Sequence, residues 1–209
     1  MPSSWPRPLA ALAGAAVLVV YWLTLAPDLT WANAALDGVE LITASATLGI
    51  PHPPGYPTYV ILGKLFSLLP VGSVAFRYNL FSAVTTASAA GLAVLIITTL
   101  HPRIKQGAAV GAALLFGLAP LVWSQAVVAE IYGLNLLLIA AFLLSVVRRS
   151  NPAWSGLWLG LALTTHLTSI FLLPALIIRG ARRPWRALAG VAAGLSPLLL
   201  LLLLAAGDS

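Results

Sequence analysis

The sequence contains no cysteine, which excludes disulfides, thiolate metal sites and a cysteine nucleophile while leaving the redox compartment undetermined. Charge is almost as scarce: 8% of the residues are charged, only five of them acids, against 60% apolar. So few polar side chains cannot cover the surface of a soluble domain of 209 residues, and a mean hydropathy of +0.99 points the same way. Fixed-period repeats and low-complexity tails are absent too. What is present is a series of apolar blocks separated by short basic clusters, the pattern of an all-α polytopic membrane protein set in a lipid bilayer. The formal charge of +6 would suggest nucleic acid in a soluble chain; distributed between apolar blocks it reads as cytoplasmic loops, and no nucleic-acid partner is expected.

Taken in order, Leu9 to Ala26 is an unbroken apolar block of bilayer length preceded by Arg7, expected to be a first crossing with its amino terminus in the cytoplasm. A cleaved signal peptide is the rival reading, but the block exceeds a usual signal core. Pro27, Asp28 and Trp31 mark the outer interface, where an indole sits well at headgroup depth. The outer loop, residues 27–78, then holds a short helix expected from Asp37 to Ile50, ended by Gly49 and Pro51, and an apolar stretch from Tyr56 to Leu69. At 14 residues, and roughly 1.5 Å of rise per residue, that stretch is too short for a hydrocarbon core of about 30 Å and is expected to lie at the interface.

If it does not span, Asn79 to Leu100 runs inward to His101, Arg103 and Lys105, and Gly107 to Val122 returns outward. Trp123 to Glu130 is then an outer turn, and Ile131 to Val147 runs inward to Arg148 and Arg149. Ala153 to Thr165 and Leu167 to Ile178 read as two short segments turning outside at His166, because a single span would place Arg179, Arg182, Arg183 and Arg186 outside. Ala187 to Ala206 exits and leaves Asp208 outside. The expectation is about seven crossings in a single transmembrane domain over 1–209, with every basic cluster inside and all five acids outside beside Lys64 and Arg77.

This sidedness brings Asp37, Glu40, His52, Arg77, Glu130 and His166 to one outer face, and ionisable groups gathered on a greasy bundle are a site hypothesis by default. Each also has a plainer reading. Asp37-Gly38-Val39-Glu40 fits a capping box as well as a pair of carboxylates on one helix face, able to take a proton and to orient it. His52 lies ahead of Pro53-Pro54-Gly55-Tyr56-Pro57, whose prolines set how the next helix enters the membrane. Arg77 beside Tyr78 suits an interface anchor or a phosphate ligand, Glu130 suits a helix amino terminus, and His166 suits a polar turn between half-spans.

An outer acidic pair after a first helix, then His-Pro-Pro, then Arg at the mouth of the next crossing, resembles the polyprenyl-phosphate-sugar-dependent glycosyltransferases of the GT-C fold. The closer resemblance is to a family long carried as a domain of unknown function, which includes the vertebrate transmembrane O-mannosyltransferase acting on plexin-type receptor domains. It is carried by residues 25–31, 37–41, 48–57, 77–80, 129–135 and 163–168, and His52-Pro53-Pro54-Gly55-Tyr56-Pro57 is its most specific string. The acidic pair departs from the Asp-Ser-Gly-Glu expected of that family, since Gly38-Val39 separates Asp37 from Glu40.

The resemblance implies a GT-C helical bundle that forms the amino-terminal part of a longer architecture. It also implies an inverting hexosyltransferase moving a sugar, mannose first, from a polyprenyl phosphate to a hydroxyl of a protein or glycan on the extracytoplasmic side. Asp37 or Glu40 would be the base, and His52, Arg77 and His166 would meet the phosphate, with Glu130 in the same substrate-binding set. A divalent ion between the acids and His52 is compatible with this scheme and not required by it, and no other cofactor is implied. The opposing classes are a transporter, with polar groups at mid-membrane on interrupted helices, and a non-catalytic membrane subunit.

Overall fold

The computed structural model describes residues 6–34 and 36–207; the expected placement of Asp208 lies outside the described residues. Among these residues the regular structure is helical throughout. Three stretches are long and apolar enough to cross a bilayer: α1 (Pro6–Thr24), α4 (Val74–Leu100) and Pro184–Leu204, the last made by α10 (Pro184–Gly194) running into α11 (Ser196–Gly207). A fourth is the bent pair α5 (Gln106–Gly117) and α6 (Pro120–Ala126). Shorter apolar helices are α7 (Tyr132–Val147) and α8 (Pro152–Leu163), followed by a 3-10 turn, Leu167–Leu172, that leads into α9 (Leu173–Gly180).

Close approaches between small residues fix the relative directions. A Cβ on Gly14 would lie 3.0 Å from the Ala87 carbonyl oxygen and one on Gly91 2.9 Å from that of Ala10, so α1 and α4 are antiparallel. The α1 and α4 ends also meet, Asn79 Nδ2 donating to the Ala26 carbonyl at 2.8 Å. The chain between them therefore leaves and returns at one end of the bundle. That stretch holds α2 (Gly38–Thr47) and α3 (Pro57–Ser67), and α3 at 11 residues is shorter still than the apolar stretch that suggested it.

Helix α5 runs parallel to α1, with Ala10 and Ala13 packed on Ala109 and Ala113 and the Tyr21 hydroxyl donating to the Gly117 carbonyl. There the expected straight return to Val122 fails: the chain bends by 63° before Pro120, which cannot donate to the preceding turn. The expected outer turn from Trp123 is accordingly helical as far as Ala126, and only then does the chain reach the α1 end, where the Ala26 amide donates to Val127 at 3.1 Å. Helix α4 also begins earlier than expected, at Val74, because the Ser73 hydroxyl caps it by accepting from the Phe76 amide at 3.1 Å.

In the second half, Ser145 and Ser155 join α7 to α8 across their turn at 2.8 Å. Helices α8 and α10 lie parallel and touch backbone to backbone along Gly156 and Gly160 on one side and Gly190 and Gly194 on the other. Glycine alone permits this: an added Cβ at Gly190 would stand 2.0 Å from the Ala153 carbonyl oxygen. With α8 and α10 parallel, the 3-10 turn and α9 carry the chain back between them, as two short segments turning at His166 require. The helix termini thus sort into two ends. One holds Asp37, His52, Glu130 and His166; the other holds Arg7, Arg103, Lys105, Arg148, Arg149 and the arginines after α9.

Candidate active site

The site is built on the loop between α2 and α3. Helix α2 stops where Leu48 turns left-handed (φ 57°), letting the Gly49 amide reach back to Ala44 at 2.8 Å. The following His52-Pro53-Pro54-Gly55 turn closes on itself through Gly55 N–H donating to His52 at 3.0 Å, with Gly55 at φ 87° and Tyr56 at φ 43°. Gly55 is suited to that region; Tyr56 is held there by its contacts, and is buried.

The turn folds His52 back over the exposed face of α2. Its backbone N–H donates to Glu40 Oε1 at 2.7 Å and its Nδ1 meets Glu40 Oε2 at 2.7 Å. The capping-box expectation is thereby corrected: Asp37 makes no side-chain cap, and both Glu40 oxygens go to His52 rather than back to the Asp37 amide. On the other side of the ring, Nε2 lies 2.8 Å from the Tyr56 hydroxyl and 4.0 Å from Asp37 Oδ2. The rings of His52 and Tyr56 meet edge to face, centroids 5.2 Å apart.

The electrostatics follow from this line of contacts. Hydrogen bonding to Glu40 raises the His52 pKa, and the reciprocal bonds from His52 lower that of Glu40. Each partner thus favours the charged form of the other. Burial, reinforced by Asp37, keeps Tyr56 a neutral phenol. Both ring nitrogens of His52 are already engaged, and no group of three or more metal-ligating side chains forms among the described residues. The arrangement is a hydrogen-bonded line of carboxylate, imidazole and phenol.

Glu130 approaches from the loop before α7. Ser82 on α4 fixes that loop, its hydroxyl donating to the Glu130 carbonyl and accepting from the Glu130 amide, both at 3.1 Å. The residue is 5% exposed, and burial with Asp37 nearby pushes its carboxyl up from 4.5 to about 7, partly offset by the Ile131 amide and His52. His166 joins from the third loop through Tyr132, their rings 5.9 Å apart. His166 Nδ1 meets the Thr168 hydroxyl at 2.6 Å and the Thr168 amide at 3.3 Å, leaving Nε2 free of contacts to these groups. Two further bonds lock the loops together: Thr58 to Thr164 between hydroxyls at 2.6 Å, and Ser169 Oγ to Asn135 Oδ1 at 2.9 Å.

All six expected residues thus lie at one end of the bundle, and five of them gather there. Arg77 stands apart: its guanidinium donates to the carbonyls of Val71, Ser67 and Gly72, clasping the α3–α4 loop, and none of these bonds reaches the cluster. Tyr56 and Tyr132 were not anticipated. Tyr56 was legible in principle, being four residues after His52 across a turn. Tyr132 had no local signal, since its pairing with His166 is made by tertiary packing.

The chain matches the family described as Protein O-mannosyl-transferase TMEM260 N-terminal domain over residues 37–189. It belongs to that family. Within it, the chain is 37% identical over 135 residues to Protein O-mannosyl-transferase TMEM260 of Mus musculus, covering 64% of this chain and 18% of the mouse protein. It is 27% identical over 126 residues to Protein O-mannosyl-transferase tmem260 of Dictyostelium discoideum, covering 58% of this chain and 14% of that protein. The aligned region is therefore less than a fifth of either relative. No solved structure matches the chain. The family match begins at Asp37 and takes in the whole carboxylate and imidazole cluster.

Proposed function

We propose that this TMEM260 N-terminal domain carries the reacting end of a membrane mannosyltransferase, moving mannose from a polyprenyl phosphate to a hydroxyl of a protein acceptor. The observation that carries the reading is the Glu40–His52–Tyr56 hydrogen-bonded line beside the exposed Asp37 carboxylate, inside a region shared with proteins named as O-mannosyltransferases.

Asp37 is the base, because its carboxylate is open to an acceptor while both Glu40 oxygens are committed to His52. The acceptor oxygen attacks the anomeric carbon as its proton passes to Asp37. The bond from that carbon to the phosphate oxygen breaks, the electron pair leaves with the polyprenyl phosphate, and the anomeric centre inverts. Glu40 keeps His52 cationic; Nε2–H then donates to the Tyr56 oxygen, turning the phenol O–H toward the leaving phosphate. His166 Nε2 adds a second polar group at the same mouth, and Glu130, its carboxyl raised to about 7, faces Asp37 with less than a full negative charge near neutrality.

In this reading the chain crosses the membrane seven times: α1, α4, the α5–α6 pair, α7, α8, the 3-10 turn with α9, and α10–α11. The arginine end faces the cytoplasm and the site faces away from it. A carrier is the second reading, favoured by the 63° break before Pro120 and the half-length segments around His166. Sealed vesicles holding the purified chain, given radiolabelled polyprenyl-phosphate mannose and acceptor protein, separate the two. Label on the protein is expected. Label taken up without transfer supports the carrier, and no label on the protein refutes the enzyme.

A further inference from the structure

A cavity of about 960 Å³ opens at the end of the bundle away from the carboxylate and imidazole cluster. Its wall is formed by the α7–α8 turn, the end of α9 and the start of α10, and it is lined by Arg149, Arg179, Arg182, Arg183 and Arg186 with no acid among the lining residues. Like charges brought together at the edge of an apolar bundle repel, so a cavity of this kind favours an anion within it. Arg179 shows the need at one atom. Its Nη2 donates to the Ser150 carbonyl, while its Nε is buried without an acceptor among the described residues. Arginines that only set the orientation of the chain in the membrane would require neither a shared concavity nor a desolvated, unpaired donor.

The surroundings point to lipid. Trp185 is 64% exposed, with the Arg186 guanidinium 5.0 Å from its ring centroid, and Ile178 on the cavity wall is 80% exposed. Indoles and open apolar side chains beside guanidinium groups are what the boundary between headgroups and acyl chains accommodates.

We propose that this cavity binds the phosphate headgroup of an anionic phospholipid in the leaflet next to the α7–α8 and α9–α10 turns. Forked guanidinium donors match phosphate oxygens, and the volume lies within the range of about 300–1,000 Å³ usual for small-molecule sites.

The test uses the full chain purified in a neutral detergent, with lipid retention read by native mass spectrometry. The probes are phosphatidylglycerol, phosphatidylcholine of the same acyl chains, and inorganic phosphate. Phosphatidylglycerol is expected to be retained about tenfold more than phosphatidylcholine, and Arg182→Gln with Arg183→Gln to lower its retention by about tenfold or more, leaving phosphatidylcholine unchanged. Equal retention of the two lipids by the unaltered chain overturns the proposal, a comparison that needs no variant to fold. Inorganic phosphate binding as tightly as phosphatidylglycerol overturns the lipid assignment.

Discussion

Replacing Glu130 by glutamine is expected to remove most of the pH dependence of stability near neutrality. The Glu130 carboxyl is buried and titrates at about 7 instead of 4.5. Below 4.5 it is protonated in both folded and unfolded chains. Between 4.5 and about 7 the folded chain keeps the proton that the unfolded chain has lost, so unfolding releases a proton and rising pH favours it. The span, 7 − 4.5, is about 2.5 pH units. At about 1.4 kcal/mol per unit, the folded state loses on the order of 3 kcal/mol by pH 8, roughly 6–12 °C in melting midpoint for a chain of this size. His52, whose pKa is raised, contributes stability in the same direction: fully present below 6.5 and lost as pH rises through its folded value. Thermal unfolding in detergent from pH 5 to 8.5 reads both. The Glu130→Gln chain should already exceed the parent slightly at pH 5, by a margin that grows up to about pH 7 and is constant above it, keeping only the His52 slope. Parallel curves for the two proteins would refute the burial argument.

Other outcomes follow from the same geometry. Glu40→Gln should let the His52 pKa fall, moving the alkaline limb of the rate profile for mannosyl transfer to lower pH; an unmoved limb would separate His52 from the reaction. Gly190→Leu should destabilise the bundle by more than about 3 kcal/mol in a denaturant titration, because its side chain meets the Ala153 carbonyl, whereas Gly107→Ala, with nothing within 4 Å of the new Cβ, should be neutral or stabilising by roughly 0.5–1 kcal/mol. Since the chain has no cysteine, single replacements report sidedness cleanly: Thr47→Cys and Gln106→Cys should react with an impermeant maleimide from opposite sides of sealed vesicles. Labelling of both from one side would contradict the proposed topology.

Much of the helical layout was legible because a bilayer demands apolar length, and Leu9 to Ala26 or Asn79 to Leu100 announce themselves by it. The shortness of Tyr56 to Leu69 was legible for the same reason, and α3 is shorter still at 11 residues. The bend at Pro120 was not, since an apolar count is blind to direction and Pro120 sits well at the first position of α6. At the site, the residue types and their shared end could be read, but not their partners. Asp37 and Glu40 carry the local signature of a helix cap, and only the return of the chain through His52 gives Glu40 a stronger donor than its own backbone. Arg77 shows the converse: a conspicuous cation whose donors are consumed by loop carbonyls that no sequence pattern marks.

The most direct test is the rate of mannosyl transfer by Asp37→Asn relative to the parent chain, with the helical circular-dichroism signal unchanged. A carboxylate acting as general base contributes roughly 10²–10⁴-fold, so transfer should fall by at least about a hundredfold while binding of the polyprenyl-phosphate donor persists. Transfer within a factor of about three of the parent would contradict the assignment of Asp37 as base and with it the reaction proposed for this site.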